Sequence, residues 1–208
     1  EIRLSLVGSE MCIRDRVGGD YYDFHVDGDG TLTIVVGDAT GHGMKAGTIV
    51  TASKSLFNSH AKNPDILFTF KEITRSLKMM DFHLLSMCMT LMKIKKNKIQ
   101  VSAAGMPPVL LHRQSTGDVE ELLIKGMPLG TFTEFDYQLH ETTIQPGDTL
   151  LFMSDGLPEL FNEKEEMFGY EKIQEIFKSS AHLPVNEIID HLKEAGSTWV
   201  KGADPQDD

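Results

Sequence analysis

The stretch Thr31–Gly43, TLTIVVGDATGHG, sets the reading of the chain. Its opening run TLTIVVG is β-branched and is entered through the turn Asp27-Gly28-Asp29-Gly30, so it predicts a buried strand. Gly37, Gly41 and Gly43 then flank a strand-to-helix turn, where glycine permits positive φ and close approach of backbone to a ligand. From Gly43 onward the apolar spacing becomes helical, with Ala46, Ile49, Val50, Ser53 and Phe57 on one face. Asn63-Pro64 reads as the N-cap and first-turn proline of a second helix, marked by Ile66, Phe70, Ile73, Leu77 and Met80.

Downstream the period changes to short strands: Ser86–Ile94, Lys98–Ala103, Pro108–Arg113, Val119–Ile124, Tyr137–Ile144 and Thr149–Ser154. Lys96-Asn97, Gly117-Asp118 and Pro146-Gly147-Asp148 supply the turns between them. Strands joined this tightly pair antiparallel. Two further helices, Gly169–Ser179 and Val185–Val200, close the chain; Ile188, Leu192, Ala195 and Trp199 form the apolar stripe of the last. Helices, a meander, then helices again predict an α+β fold. Two antiparallel sheets packed together with helices outside would bury the apolar faces.

Composition narrows the function classes. The chain has 208 residues, 40% of them hydrophobic and 25% charged, which suits one soluble globular domain. A formal net charge of −11 argues against wrapping nucleic acid or lying on an anionic membrane. It leaves metal binding open. Cys12 and Cys88 are too few for a disulfide framework, and Cys88 reads as a small buried hydrophobe among Met87 and Met89. No apolar run approaches the length of a membrane span, so a cytoplasmic protein is expected. Residues 1–16 show no helical or strand period and read as a non-native leader, leaving a domain over 17–208.

The aspartates sort by position. Asp27, Asp29, Asp118 and Asp148 lie in glycine-containing turns, where a short carboxylate bonds local backbone. Asp65 suits a helix start, and Asp136 and Asp190 suit a polar loop and a polar helix face. Asp38 and Asp155 each follow a run that must be buried and precede a glycine turn. A carboxylate there is costly unless something positive satisfies it, and neither has Lys or Arg as a near sequence neighbour. A hard divalent cation is one answer, since it takes oxygen ligands; a helix N-cap or turn role is the other. The helix start after GDATGHG could favour an anionic phosphate. The motif is no P-loop, because no Gly-Lys-Ser/Thr follows, and Leu32 occupies the glycine position of an EF-hand begun at Asp27.

Five segments carry a resemblance: GGDYYDF (18–24), GDATGHG (37–43), AAGMPPVLL (103–111), GMPLG (126–130) and LLFMSDGLPELFN (150–162). In that order and spacing they resemble the bacterial PPM-type (type 2C-like) serine/threonine protein phosphatases of the sporulation stage II protein E branch. The resemblance implies a four-layer αββα sandwich and two Mn²⁺ or Mg²⁺ ions. It implies metal ligation by Asp20, Asp38, the Ala39 carbonyl, Asp155 and Asp207, with Asp20, Asp38 and Asp155 carrying catalysis. Asp23 falls to a supporting or surface role. A water between the two metals would attack phosphorus directly, without a phosphoenzyme.

The substrate implied is phosphoserine or phosphothreonine on an anti-anti-sigma-like regulatory domain. A homodimer through the two helices after GDATGHG, or through a sensor domain preceding Val17, is among the implied assemblies. Ala46, Gly47, Thr48, Ala52 and Ser53 give the first helix small residues suited to sliding contact, and equally to ordinary close packing.

Departures from the family pattern set further expectations. Thr40 stands where eukaryotic relatives place a candidate general-acid histidine, so His42 is assigned a structural or supporting role. No phosphate-binding arginine is matched, and Met106 replaces a histidine of the bacterial AGHPP loop. The family continues beyond Asp208 with a threonine and a strand, so a C-terminally truncated domain with a frayed Asp207 is expected. Two rival functions stay open. One is a catalytically impaired binding module. The other is a haloacid-dehalogenase-type phosphatase using Asp27 as nucleophile, from the DxDGT match at Asp27–Thr31.

Overall fold

The computed structural model describes residues 18–81 and 85–201. The expected leader, Cys12 and Asp207 lie outside the described residues. In chain order the elements are β1 (Asp20–Val26), β2 (Leu32–Ala39), α1 (Met44–His60), α2 (Ile66–Met79), β3 (Met87–Lys95), β4 (Lys98–Ala104), β5 (Val109–His112), β6 (Val119–Leu122), β7 (His140–Thr143), β8 (Thr149–Leu151), α3 (Tyr170–Ser180) and α4 (Val185–Val200). The fold is α+β, as expected, with two antiparallel sheets and four helices among the described residues.

The chain forms two compact units interleaved in sequence. One spans Ile13–Pro107 and Leu123–Ile144. It holds a five-stranded sheet in the order β1-β2-β3-β4-β7. Strand β1 emerges only in the structure, hairpinned onto β2 through the Asp27–Gly30 turn, where Gly30 N donates to Asp27 O at 2.9 Å. One sheet face packs on the helices: Tyr21, Val35, Met89 and Leu91 join Ile49 and Phe57 of α1 and Phe70, Ile73 and Leu77 of α2 in one core. Each such large side chain, buried, contributes about 1.5–3 kcal/mol. The N-cap of α2 is Asp65, which accepts from Phe68 N at 3.1 Å, and Asn63 instead accepts from Asp65 N at 2.9 Å. The capping role expected of Asn63 therefore passes to the residue after the proline, whose ring cannot donate but leaves the next residue free to cap.

The other unit comprises Pro108–Leu122 and the chain from Gln145. Its sheet has the order β6-β5-β8, and α3 and α4 bury Phe177, Ile173, Ile188 and Leu192 around Leu110 and Phe168. The strand expected over Thr149–Ser154 stops at Leu151. Its partner β5 starts at Val109, immediately after Pro107-Pro108, and proline has no N–H to extend a ladder. Likewise β7 is shorter than the expected Tyr137–Ile144. Tyr137 packs edge-on against Phe70 at 5.2 Å and donates its hydroxyl to Met127 O at 3.0 Å, so it serves a loop. Among the described residues, no helix is long and apolar enough to cross a membrane.

Asp148 is the turn carboxylate expected, with a larger part than a turn alone requires. It accepts from Gln145 N, Gln114 N and Arg113 Nη1, each at 3.0 Å, while Arg113 also grips Glu120 at 2.8 Å. Burial raises its pKa, but these donors outweigh burial and hold the carboxyl below the ordinary range. A depressed folded-state pKa contributes stability above the unfolded value of about 3.9, and that contribution is lost as pH falls through the folded one. Asp148→Asn should therefore lower unfolding free energy by roughly 2 kcal/mol at pH 7, with the difference closing in urea melts at increasingly acid pH.

Candidate functional site

The β1–β2 ladder places Asp20 directly opposite Asp38. Directly paired residues project from the same sheet face, so the two carboxylates are neighbours, and Asp38 is half-buried. Asp23, three residues on, falls on the opposite face. There it pairs with Lys54 at 3.2 Å and accepts the Tyr21 hydroxyl at 3.3 Å, and this supporting role agrees with the expectation for it. Burial first, and the Asp23 charge second, push the Tyr21 phenol well above its ordinary pKa.

The backbone around this pair is shaped to leave room. A Cβ on Gly19 would lie 2.7 Å from Asp38 Oδ1 and 2.8 Å from the Ala39 carbonyl oxygen, so both oxygens face the space that glycine leaves empty. Ala39 N donates to Gly19 O at 3.0 Å and locks the two segments together. Thr40 is pinned to the start of β3: its N donates to Ser86 O at 3.0 Å, and its Oγ1 accepts from Ser86 N at 2.8 Å. Gly41 and Gly43 then turn the chain into α1 with φ of 87° and 73°, which explains two of the three glycines by positive φ. The third, Gly37, is there for close approach, since a Cβ would meet Cys88 O at 2.7 Å. Cys88 lies opposite Asp38 on β3 and is half-buried, not fully buried as expected, because the face it shares with Asp38 is the one away from the helices.

His42 is exposed and makes no hydrogen bond to any described residue, so the structural role expected of it has no bonded basis. The AAGMPP and GMPLG motifs interlock. Gly126 sits so close to the Ala103 carbonyl that a Cβ would lie 2.3 Å from it, and Gly105 abuts Pro128. Met106 is buried there, a packing position suited to an apolar side chain.

Asp155 belongs to the other unit. It opens the turn after β8, its carbonyl accepting from Glu159 N at 2.9 Å, and its side chain is half-buried. Burial, then the carboxylates of Asp155 and Glu159, raise the Tyr170 phenol pKa. Asp27 and Asp29 lie in the β1–β2 hairpin. Asp27 Oδ1 contacts His25 Nε2 at 3.0 Å, and Asp29 accepts from Thr31 N and pairs with Lys95. Asp27 is thus a hairpin carboxylate directly after β1, with its main chain closing the turn through Gly30 N and Thr31 O.

Among the described residues, no three His, Cys, Asp or Glu side chains form a metal-holding group. What Asp20, Asp38 and Ala39 do provide is hard oxygen: two carboxylates and a carbonyl, with the glycine cradle beside them. Like charges directly opposed on adjacent strands repel, and a divalent cation between them offsets that repulsion. The donor chemistry fits Mg²⁺ or Mn²⁺. Sequence reading alone could not find Gly19, Thr40 and Ser86 as supports, because their contacts appear only once the strands are in register.

Comparison with solved structures defines the fold. The SiaA-PP2C domain of Pseudomonas aeruginosa aligns with a TM-score of 0.80 at 20% identity, covering 91% of this chain and 77% of that one. The PP2C phosphatase domain, with a fragment of the regulatory domain, of the cell fate determinant SpoIIE from Bacillus subtilis aligns with a TM-score of 0.74 at 22% identity, covering 91% and 56%. The fold is that of PP2C phosphatase domains. The family model for stage II sporulation protein E (SpoIIE) matches residues 28–208, and the chain belongs to that family. It is also 25% identical over 195 residues to the phosphoserine phosphatase RsbU of Bacillus subtilis (strain 168). That match covers 89% of this chain but only 57% of RsbU, a little over half its length.

Mn²⁺ should raise the melting temperature of the wild type, and Gly19→Ala should remain folded yet lose most of that rise, because the new methyl group displaces Asp38 Oδ1 and the Ala39 carbonyl. His42→Ala should change unfolding free energy by less than about 0.5 kcal/mol in denaturant melts.

Proposed function

We propose that this chain is the catalytic domain of a Mn²⁺- or Mg²⁺-dependent protein phosphatase that hydrolyses phosphoserine or phosphothreonine on a cytoplasmic regulatory protein. The observation that carries this reading is the direct opposition of Asp20 and Asp38, with the Ala39 carbonyl and the Gly19 cradle beside them, in a chain of the SpoIIE family. An anti-anti-sigma-type domain is the substrate class that the family resemblance favours.

In this reading Asp20, Asp38 and the Ala39 carbonyl hold the cations, with Asp155 and Asp207 as the further carboxylates. When bound, such ions lower the pKa of a coordinated water and neutralise charge at phosphorus. The rest falls to the chain. The β1–β2 ladder would hold both carboxylates on one sheet face, and Thr40, tied to Ser86, would keep the Asp38–Ala39 segment in place. The reaction is plain hydrolysis. The water oxygen bonds to phosphorus, the phosphorus–oxygen bond to the serine or threonine side chain breaks, and a proton ends on the released hydroxyl. No side-chain nucleophile is required.

Phosphate release from a phosphoserine-bearing domain, with and without Mn²⁺, tests the proposal. Asp38→Asn should lower kcat/KM by roughly a hundredfold or more, and Asp20→Asn and Asp155→Asn should act in the same direction. Wild-type protein that binds the phosphodomain but releases no phosphate would instead make it a binding module.

A further inference from the structure

The helix that leads away from the site is anchored to its sheet by a buried cation. Lys93 on β3 is only 5% exposed. Its ammonium donates to Thr33 Oγ1 at 2.7 Å and to the Ala61 carbonyl at 2.6 Å. Ala61 is the C-cap of α1, and the Thr33 hydroxyl donates to the same carbonyl at 3.3 Å. Thr33 and Lys93 are directly paired across β2 and β3, so both reach toward the helix side together.

Such a lysine is expensive. Both of its acceptors are neutral oxygens, and burying an ammonium without an ion-paired carboxylate carries a large desolvation cost. Burial accordingly lowers its pKa, while the charges of Asp27 and Asp29 pull it back upward. The negative end of the α1 macrodipole supplies part of the compensation. A group this costly, where an apolar side chain would pack more cheaply, calls for a purpose beyond stability.

The remainder of the contact between α1 and the sheet is mainly apolar. Ala46, Ile49 and Phe57 meet the sheet through apolar surface. Ser53, buried among them, has an Oγ without a hydrogen-bond partner among the described residues. Such apolar contacts are not directional, whereas a hydrogen bond fixes a donor–acceptor distance and angle. The Lys54–Asp23 pair also joins α1 to the sheet, but Lys54 is 56% exposed and its pull is screened. Among the described residues, the two donors on Ala61 O are the buried hydrogen bonds that tie α1 to the sheet. Seventeen helical residues make a stiff rod about 25 Å long, so fixing one end fixes the other. At that other end lie Gly41–Gly43 and, immediately before them, Asp38, Ala39 and Thr40.

We propose that Lys93 is a positioning residue for the phosphatase site: by holding the Ala61 carbonyl and Thr33 it sets the axial register of α1, and through that rod the placement of the Gly41–Gly43 turn beside Asp38 and Ala39. The part concerning turnover rests on the phosphatase reading above; the mechanical part does not.

The test compares Lys93→Met, Thr33→Val and Lys54→Met with wild type, in the full chain. Amide hydrogen exchange is read over residues 41–47, and kcat and KM on a phosphoserine peptide with Mn²⁺. Lys93→Met should melt cooperatively, exchange faster in that segment, and lose roughly tenfold or more in kcat with KM little changed. Thr33→Val should show the same pattern in weaker form, and Lys54→Met should match wild type in both measurements. Wild-type exchange over 41–47 in Lys93→Met, or exchange raised uniformly through the molecule, would overturn the proposal. So would an unaltered kcat beside an active wild type. Should Lys93→Met fail to fold, Thr33→Val decides by the same criteria. An inactive wild type would remove the phosphatase reading, while exchange would still decide whether Lys93 fixes the turn.

Discussion

The opposition of Asp20 and Asp38 depends on the register of β1 against β2. Slipping that ladder by one residue would move Asp20 to the helix-facing side and Tyr21 out of the core, because side chains alternate faces along a strand. The register is therefore enforced by hydrophobic burial. Tyr21, Val35 and their neighbours must face α1 and α2, and Asp20 and Asp38 are left facing each other on the other side. The core selects the arrangement, and the cost of two opposed carboxylates is carried by that selection.

The supports around the pair share one logic. Gly19 contributes an absence, since any side chain would displace the oxygens of Asp38 and Ala39. Thr40 and Ser86 tie the segment after β2 to the beginning of β3, while Lys93 ties the far end of α1 to the same two strands. The segment carrying Asp38, Ala39 and the glycine turn is thus held from both directions by bonds to β2 and β3.

Much of the fold was legible because period and punctuation agreed. The β-branched run before Asp38, the switch to helical spacing at Gly43 and the long stripe from Val185 to Val200 each carry one dominant signal. Elements were misread where tertiary contacts override local pattern. Strand β1 has polar and aromatic residues mixed, and its identity comes from pairing with β2. Tyr137 looked like a strand residue because it is aromatic, yet it stacks in a loop. Thr149–Ser154 looked like one strand, but prolines beside β5 cut its ladder short. Within the site, Asp38 stood out by burial context and Asp20 only by family resemblance. Gly19, Ser86 and Lys93 act through residues distant in sequence, a relation that no window along the chain displays.

The central claim is that Asp20 and Asp38 together present a divalent-cation site. Mn²⁺ binding followed by electron paramagnetic resonance addresses it most directly, because it counts free ion without requiring turnover. Wild-type protein should bind Mn²⁺, and Asp20→Asn and Asp38→Asn should each weaken that binding. The double variant should lose less than the two single losses combined, as expected for ligands of one ion. Binding that survives both substitutions unchanged would contradict the account.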